Sequence, residues 1–181
     1  MHAYRRVLKR DPKHLGALHA LQRAAEAAER YADLSDALVR EAELSADKPQ
    51  KVALLHRAAE VLDEHLNERD AAVAMLKRVV TMDSCYVPAL TTLGRIYYQA
   101  GRWEDLLALY QAELTVLGST PRAAQLLFKM AEIAENRLGT HPEATELYRR
   151  AVELDPTSST ALRALGRKLR EQGRWEELIE V

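Results

Sequence analysis

The sequence predicts an all-α fold, an α-solenoid of stacked antiparallel helix pairs, on three observations. Slid against itself so that Asp11 falls on Asp83 and Asp83 on Asp155, the chain aligns from end to end without a gap. Its apolar residues recur at the three- and four-residue spacing of a helix face, and no segment sustains the two-residue alternation of a strand. Its prolines, with Gly101, Gly139 and Gly173, fall where periodic segments start and stop.

The register comes first, because an internal repeat decides the architecture. Residues 54–107 share 19 identities in 54 positions with residues 126–179. Leu93-Gly94-Arg95 falls on Leu165-Gly166-Arg167, and Gly101-Arg102-Trp103-Glu104 falls on Gly173-Arg174-Trp175-Glu176. Asp11, Arg30 and Pro49 meet Asp83, Arg102 and Pro121 in the same frame. Within each of these long blocks a shorter spacing appears. One shared packing position is occupied by Gln22, Ala59, Gly94, Ala131 and Gly166, alternately 37 and 35 apart. That spacing fits one helix-turn-helix pair per step, and two pairs per long block.

The elements follow in order. Helices are expected at 2–10, 14–29, 31–46, 49–66, 69–82, 86–100, 102–117, 121–138, 141–154, 158–172 and 174–181. The first is closed off by Asp11-Pro12. Pro49, Pro88, Pro121 and Pro142 lie near helix starts, where a missing N–H costs nothing. Leu90, Leu93, Ile96 and Tyr97 form an apolar face, and Leu106, Leu107, Tyr110 and Leu114 form the next. Gly101, Gly139 and Gly173 suit left-handed turns between paired helices, and Asp155-Pro156-Thr157 punctuates the step to the following pair. The predicted organisation is a single array over 1–181. It has a partial unit 1–12, units at about 13–48, 49–85, 86–120 and 121–157, and a partial unit 158–181. Opening and closing part-way through a repeat suggests a piece of a longer array, or terminal helices exposed for stacking.

Composition narrows the function. Apolar residues are 48% and charged residues 29%, enough to bury a core and remain hydrated. The 26 basic and 27 acidic residues are interspersed, so no basic block exists to neutralise a phosphate backbone, and nucleic acid is not an expected partner. No apolar run is long enough to cross a bilayer, so no membrane partner is expected. The first residues lack a signal-peptide stretch. Cys85 is the single cysteine, which fits a reducing compartment and an expected cytoplasmic location.

With those residues in hand, 87–117 resembles a tetratricopeptide repeat. Leu90, Leu93-Gly94, Tyr97, Gly101, Trp103 and Tyr110 stand at that family's signature positions. Residues 159–181 resemble the first half of another, through Leu162, Leu165-Gly166, Gly173 and Trp175. Residues 141–156 resemble the family's second helix, through Ala144, Tyr148, Ala151 and Asp155-Pro156. The resemblance implies a right-handed superhelix whose first helices line a concave groove. It implies a protein–protein interaction scaffold that binds a partner peptide or protein, not an enzyme. The alternative is a self-assembling or spacer segment of a longer solenoid with no ligand of its own, and a helical-repeat nucleic-acid binder ranks below both. The sequence departs from the family at Leu106 and Leu178, where a small residue is expected, and at Glu41 and Glu113, where alanine is usual. Glu29 stands where the other copies have Gly101 and Gly173. These departures imply second helices tilted or shifted outward.

Chemistry is largely absent. There is no phosphate-cradling glycine loop, no nucleophile-elbow turn and no paired-cysteine spacing, so no catalytic residue, cofactor or metal ligand is assigned. His56, Glu60, Asp63 and Glu64 share one helix face and could gather a metal, but such pairs are common on solvated helices. The acidic run Glu60, Asp63, Glu64 and Glu68 reads as a solvated face rather than paired catalytic carboxylates. Trp103 and Trp175, equivalent in the repeat, read as packing residues against the preceding helix.

The groove positions carry a charge ladder. One position past the small packing residue stand Arg23, Glu60, Arg95, Glu132 and Arg167, and nearby stand Glu26, Asp63, Tyr98, Glu135 and Arg170. Such alternation suits ion pairs between repeats that fix the register of the stack. It also suits a basic, partly aromatic groove for an acidic or extended peptide, built from Arg95, Tyr98, Phe128, Arg163, Arg167 and Arg170. The Lys/Asn constellation with which relatives clamp chaperone C-termini is missing, so that activity is not carried over. Self-association through Tyr4 to Leu8 and Trp175 to Val181 is a further expectation.

Overall fold

The computed structural model describes residues 2–180. Met1 and Val181, the latter closing both the last expected helix and the expected self-association segment, lie outside the described residues. Among the described residues every regular element is helical. The order is α1 (His2–Arg10), α2 (Leu15–Ala27), α3 (Tyr31–Leu44), α4 (Lys48–Glu64), α5 (Arg69–Met82), α6 (Val87–Gln99) and α7 (Trp103–Leu117). There follow α8 (Pro121–Ile133), a π-helical turn (Ala134–Leu138), α9 (His141–Leu154), α10 (Ser159–Glu171) and α11 (Trp175–Glu180). Each expected helix is present, most within two residues of its expected bounds; α4 begins one residue earlier, and α8 gives way to the π-helical turn five residues before its expected end. The π-helical turn at the end of α8 was not expected.

Two kinds of helix start alternate along the chain. The first helices α2, α4, α8 and α10 are capped by side chains that accept orphan backbone N–H groups of the opening turn. His14 Nδ1 accepts from Ala17 at 3.0 Å, Asp47 from Gln50 at 3.2 Å, Thr120 from Ala123 at 3.2 Å and Ser158 from Ala161 at 3.4 Å. The second helices α3, α5, α7 and α9 have no such cap. Each instead begins after a residue in the left-handed region: Glu29 (φ 52°), Asn67 (55°), Gly101 (65°) and Gly139 (69°), with Gly173 (69°) before α11.

Those turns fall into two sets that follow the long repeat. At 29, 101 and 173 the following N–H reaches five residues back: Arg30 to Ala25, Arg102 to Tyr97 and Arg174 to Leu169, at 2.8–2.9 Å. This is the bond of a Schellman closure. At 67 and 139 it reaches six back, Glu68 to Leu62 and Thr140 to Ala134, at 2.8 and 2.9 Å. The ion pairs Arg30–Asp33, Arg102–Asp105 and Arg174–Glu177 repeat the first set and place an acid in the opening turn of each second helix.

The chain divides into two compact units, residues 1–96 and 97–181, with the division inside α6. In the first, Leu8, Leu18, Leu21 and Ala37 join α1, α2 and α3, while Ala25, Leu38, Ala58 and Val61 join α2, α3 and α4. In the second, Leu114, Leu127, Met130, Ala151 and Ala161 run from α7 to α10, and Ala131, Tyr148, Leu165 and Leu169 continue through α8, α9 and α10. Within each unit successive helices thus cover apolar surface left by their neighbours, which is how a solenoid forms its core. Small residues keep the spacing close: a Cβ at Gly166 would stand 3.4 Å from Leu178 Cδ1.

Candidate functional site

The ladder foreseen in the sequence is built partly from buried acids. In the first unit Asp63, near the end of α4, is 8% exposed and accepts a hydrogen bond from Arg95 Nη2 of α6 at 2.8 Å. Arg69 approaches its other oxygen at 3.6 Å. The expectation of a solvated acidic face therefore needs correction at Asp63, which turns inward, while Glu60 is half-buried and Glu64 exposed. Helical periodicity places the three on neighbouring faces without saying which of them α6 covers. His56 is buried, its Nε2 3.1 Å from Thr92 Oγ1 and its ring edge-on to Tyr86. Burial first, then Glu60 and Asp83, pushes the Tyr86 phenol up. Among the described residues no three His, Cys, Asp or Glu side chains gather as metal ligands would.

In the second unit Glu135 and Arg167, the repeat equivalents of Asp63 and Arg95, renew the relationship. Glu135 in the π-helical turn accepts from Arg167 Nη1 at 2.6 Å and Nη2 at 2.9 Å, a two-pronged grip. Tyr148 donates its hydroxyl to the same carboxylate at 3.0 Å, and the ammonium of Lys168, itself 3% exposed, lies 2.8 Å away. The Arg167 guanidinium above all, helped by Lys168 and Tyr148 and opposed by burial, holds the Glu135 carboxyl down at about 2. Burial pulls the Lys168 ammonium down, but Glu135 and Glu171 outweigh it and leave it raised. Burial, then the bond to Glu135, pushes the Tyr148 phenol up.

A second pair of buried acids is related by the same repeat. Glu41 and Glu113 replace the alanine usual at their positions, and both lie inside. Glu41 takes hydrogen bonds from Gln22 at 2.6 Å and Gln50 at 3.5 Å, and meets His19 at 2.8 Å. Glu113 takes one at 2.6 Å from Arg122, which stands where the earlier copy has Gln50. A carboxylate taken from water must be hydrogen-bonded or paired: Glu41 takes amide bonds from Gln22 and Gln50, and Glu113 is paired by Arg122.

Of the six predicted groove residues, Arg95 belongs to the first unit and the other five to the second. Arg95 and Arg167 are held by buried acids. Phe128 is half-buried and tilted against Tyr148, with ring centroids 5.5 Å apart. Arg163 and Arg170 are exposed on α10, Arg163 donating, among the described residues, only to the carbonyl of Ser159 in its own helix. Tyr98 is 54% exposed and stands edge-on to Trp103, with centroids 5.2 Å apart. Trp103 also carries the Arg137 guanidinium over its ring at 5.0 Å. Trp175, expected to pack like Trp103, is 58% exposed instead.

One sequence model of the tetratricopeptide repeat matches residues 89–124 and another matches 125–158. Residues 89–158 carry tetratricopeptide repeats. Solved structures agree on the fold. MamA from AMB-1 superposes with a TM-score of 0.53 at 21% identity, covering 87% of this chain and 81% of that one. A MamA fragment from Desulfovibrio magneticus RS-1 gives 0.50 at 16%, covering 94% and 90%. A protein described as a CTR9 homolog of Arabidopsis thaliana is 31% identical over 99 residues, which is 55% of this chain. The chain spans 9% of that relative's length. Tetratricopeptide arrays are protein-interaction scaffolds in general, and this chain is one in that sense.

Sequence reasoning missed the repeating buried carboxylates of this tetratricopeptide array. Their signal was available: an acid at 63 and 135 is answered at one fixed distance along the chain by arginine at 95 and 167.

Proposed function

We propose that the chain holds an acidic or extended segment of a partner protein against the first-helix face of its second unit, and performs no chemistry of its own. The observation that carries this is the face of α10. Arg163, Arg167 and Arg170 lie at a spacing of four and three on that helix, and all are exposed. Arg167 is fixed by Glu135, while Arg163 and Arg170 make no ion pair among the described residues. Two cations held ready on a rigid helix suit carboxylate groups brought by a partner. Tyr98 and Phe128 add aromatic contact area. The acids Glu60 and Glu132 along the first helices disfavour nucleic acid. The lone, exposed Cys85 is in keeping with work in the cytoplasm, and among the described residues no helix is long and apolar enough to cross a membrane.

Affinity capture from lysate tests this by comparing the wild-type chain with Arg163→Glu/Arg170→Glu. These two side chains meet solvent, so the exchange leaves the core alone. Loss of specific partners is expected, and identical partner sets overturn the reading.

A second reading has its own observation. Tyr4 and Val7 are exposed on α1, whose sequence also carries Arg5, Arg6, Lys9 and Arg10. Trp175 and Ile179 are exposed on α11, beside Glu176 and Glu177. Opposite charge around bare apolar residues fits self-association of two copies. Sedimentation at rising concentration tests it, and a single monomeric species throughout rules it out.

A further inference from the structure

The second unit contains an open cleft lined by Tyr98, Tyr110, Lys129, Ile133, Asn136 and Arg137. Its counterpart one long repeat earlier, in the first unit, is bridged by an ion pair and a ring stack. There Arg57 donates to Glu26 at 2.8 Å, and the Tyr31 and His65 rings stack at 3.8 Å with 5° between their planes. The second unit keeps the stacked floor, with Trp103 for Tyr31 and the Arg137 guanidinium for the His65 ring. It keeps the cation too, with Lys129 for Arg57. It lacks the acid: Tyr98 stands in place of Glu26.

Losing that one acid leaves Lys129 without an ion-pair partner among the described residues. The cleft holds two cations, Lys129 and Arg137, against one carboxylate, Glu132, and among the described residues Arg137 meets only the Trp103 ring. Tyr98, edge-on to Trp103, forms an aromatic wall above the half-buried Tyr110 and the buried Ile133. What would complete the arrangement is a carboxylate set beside an apolar group.

We infer that this cleft is a docking site for an acidic segment of a partner protein, one in which an aspartate or glutamate side chain stands next to an aliphatic one. The carboxylate takes the place that Glu26 holds in the first unit and pairs with Lys129. The aliphatic side chain lies against Tyr98, Tyr110 and Ile133. This deepens the proposed function by naming the chemistry of the segment and the cleft that reads it.

The test uses the full chain and a fluorescein-labelled, C-terminally amidated peptide alternating glutamate with leucine, followed by fluorescence anisotropy at low salt. Saturable binding is expected. A glutamine-for-glutamate peptide should bind about fivefold more weakly or worse, as a partly exposed charge pair allows, and a glycine-for-leucine peptide should also weaken. Tyr98→Glu restores the closed pair of the first unit and should abolish binding, with the helical circular dichroism unchanged. Should that variant lose helicity, Lys129→Gln takes its place and should weaken the glutamate peptide but not the glutamine one. The inference is overturned by absence of saturable binding, by equal affinity for both peptides, or by undiminished binding to a folded Tyr98→Glu chain. The two readings fail separately. Lysate partners that require Arg163 and Arg170 but ignore Tyr98→Glu keep the scaffold and remove the cleft. Partners that ignore every variant remove the scaffold reading.

Discussion

Arg167 holds Glu135 with both prongs of its guanidinium, and in the preceding copy Arg95 holds Asp63 with one. The two acids are nearly equally buried, yet their reserves differ. Glu135 also has Lys168 and Tyr148, whereas Asp63 has Arg69 at 3.6 Å. The weaker-looking bond therefore matters more. Arg95→Ala is expected to destabilise the chain by about 2 kcal/mol and Arg167→Ala by about 1 kcal/mol, since the cost lies in stranding a buried charge. Urea unfolding decides the order, and a larger loss at Arg167 would contradict it.

Acid should reach the second unit through Glu135. Its carboxyl ordinarily titrates at 4.5 and is held at about 2 in the folded chain. The unfolded chain therefore takes up this proton first, and stability present above pH 4.5 drains away as pH falls toward 2. With Arg167 half exposed and solvent screening its share, the loss is on the order of 2 kcal/mol. Chemical denaturation at stepped pH should show that slope in the wild type and a shallower one in Glu135→Gln.

Glu29 occupies with a full side chain the left-handed turn that its counterparts fill with Gly101 and Gly173. Relief of the φ strain, reduced by glycine's greater freedom when unfolded, should make Glu29→Gly more stable by about 0.5 kcal/mol. Gly101→Ala should cost about 1 kcal/mol from the same conformation alone, because a Cβ there meets nothing closer than Trp103 Nε1 at 3.8 Å. Asn67→Gly should change little, since asparagine tolerates this region. Thermal melts of the three variants check the order.

The two tryptophans should report different surroundings. Trp103 lies between Tyr98 and Arg137, whereas Trp175 is mostly bare. Acrylamide should quench Trp103→Phe, which retains Trp175, more steeply than Trp175→Phe. Equal quenching at high protein concentration would mean that a second copy covers Trp175.

Helix limits and turns were legible because they rest on local rules. Pro49 and Pro121 can only open helices, and Gly101, Gly139 and Gly173 release the chain into the next one. The side of α4 and α8 that would be buried was less legible. Asp63 shares its neighbourhood with Glu60 and Glu64, and only the arrival of Arg95 from α6 selects it. The π-helical turn carries no composition that separates it from the end of α4. Trp175 matches Trp103 in sequence, yet Trp103 lies under the Arg137 guanidinium while Trp175 is 58% exposed. The cleft at Tyr98 emerges only when one helix is compared with its counterpart two pairs earlier.

The alternation of bonded acids has a consequence for how such a chain can be lengthened or shortened. Asp63 and Glu135 sit in every other pair, each answered by an arginine from the pair that follows. Excising one helix pair would bring two like pairs together and leave a carboxylate facing the wrong neighbour. Excising two in succession would restore every match. The smallest interchangeable module is the double pair, and recombination or engineering should succeed at that stride alone.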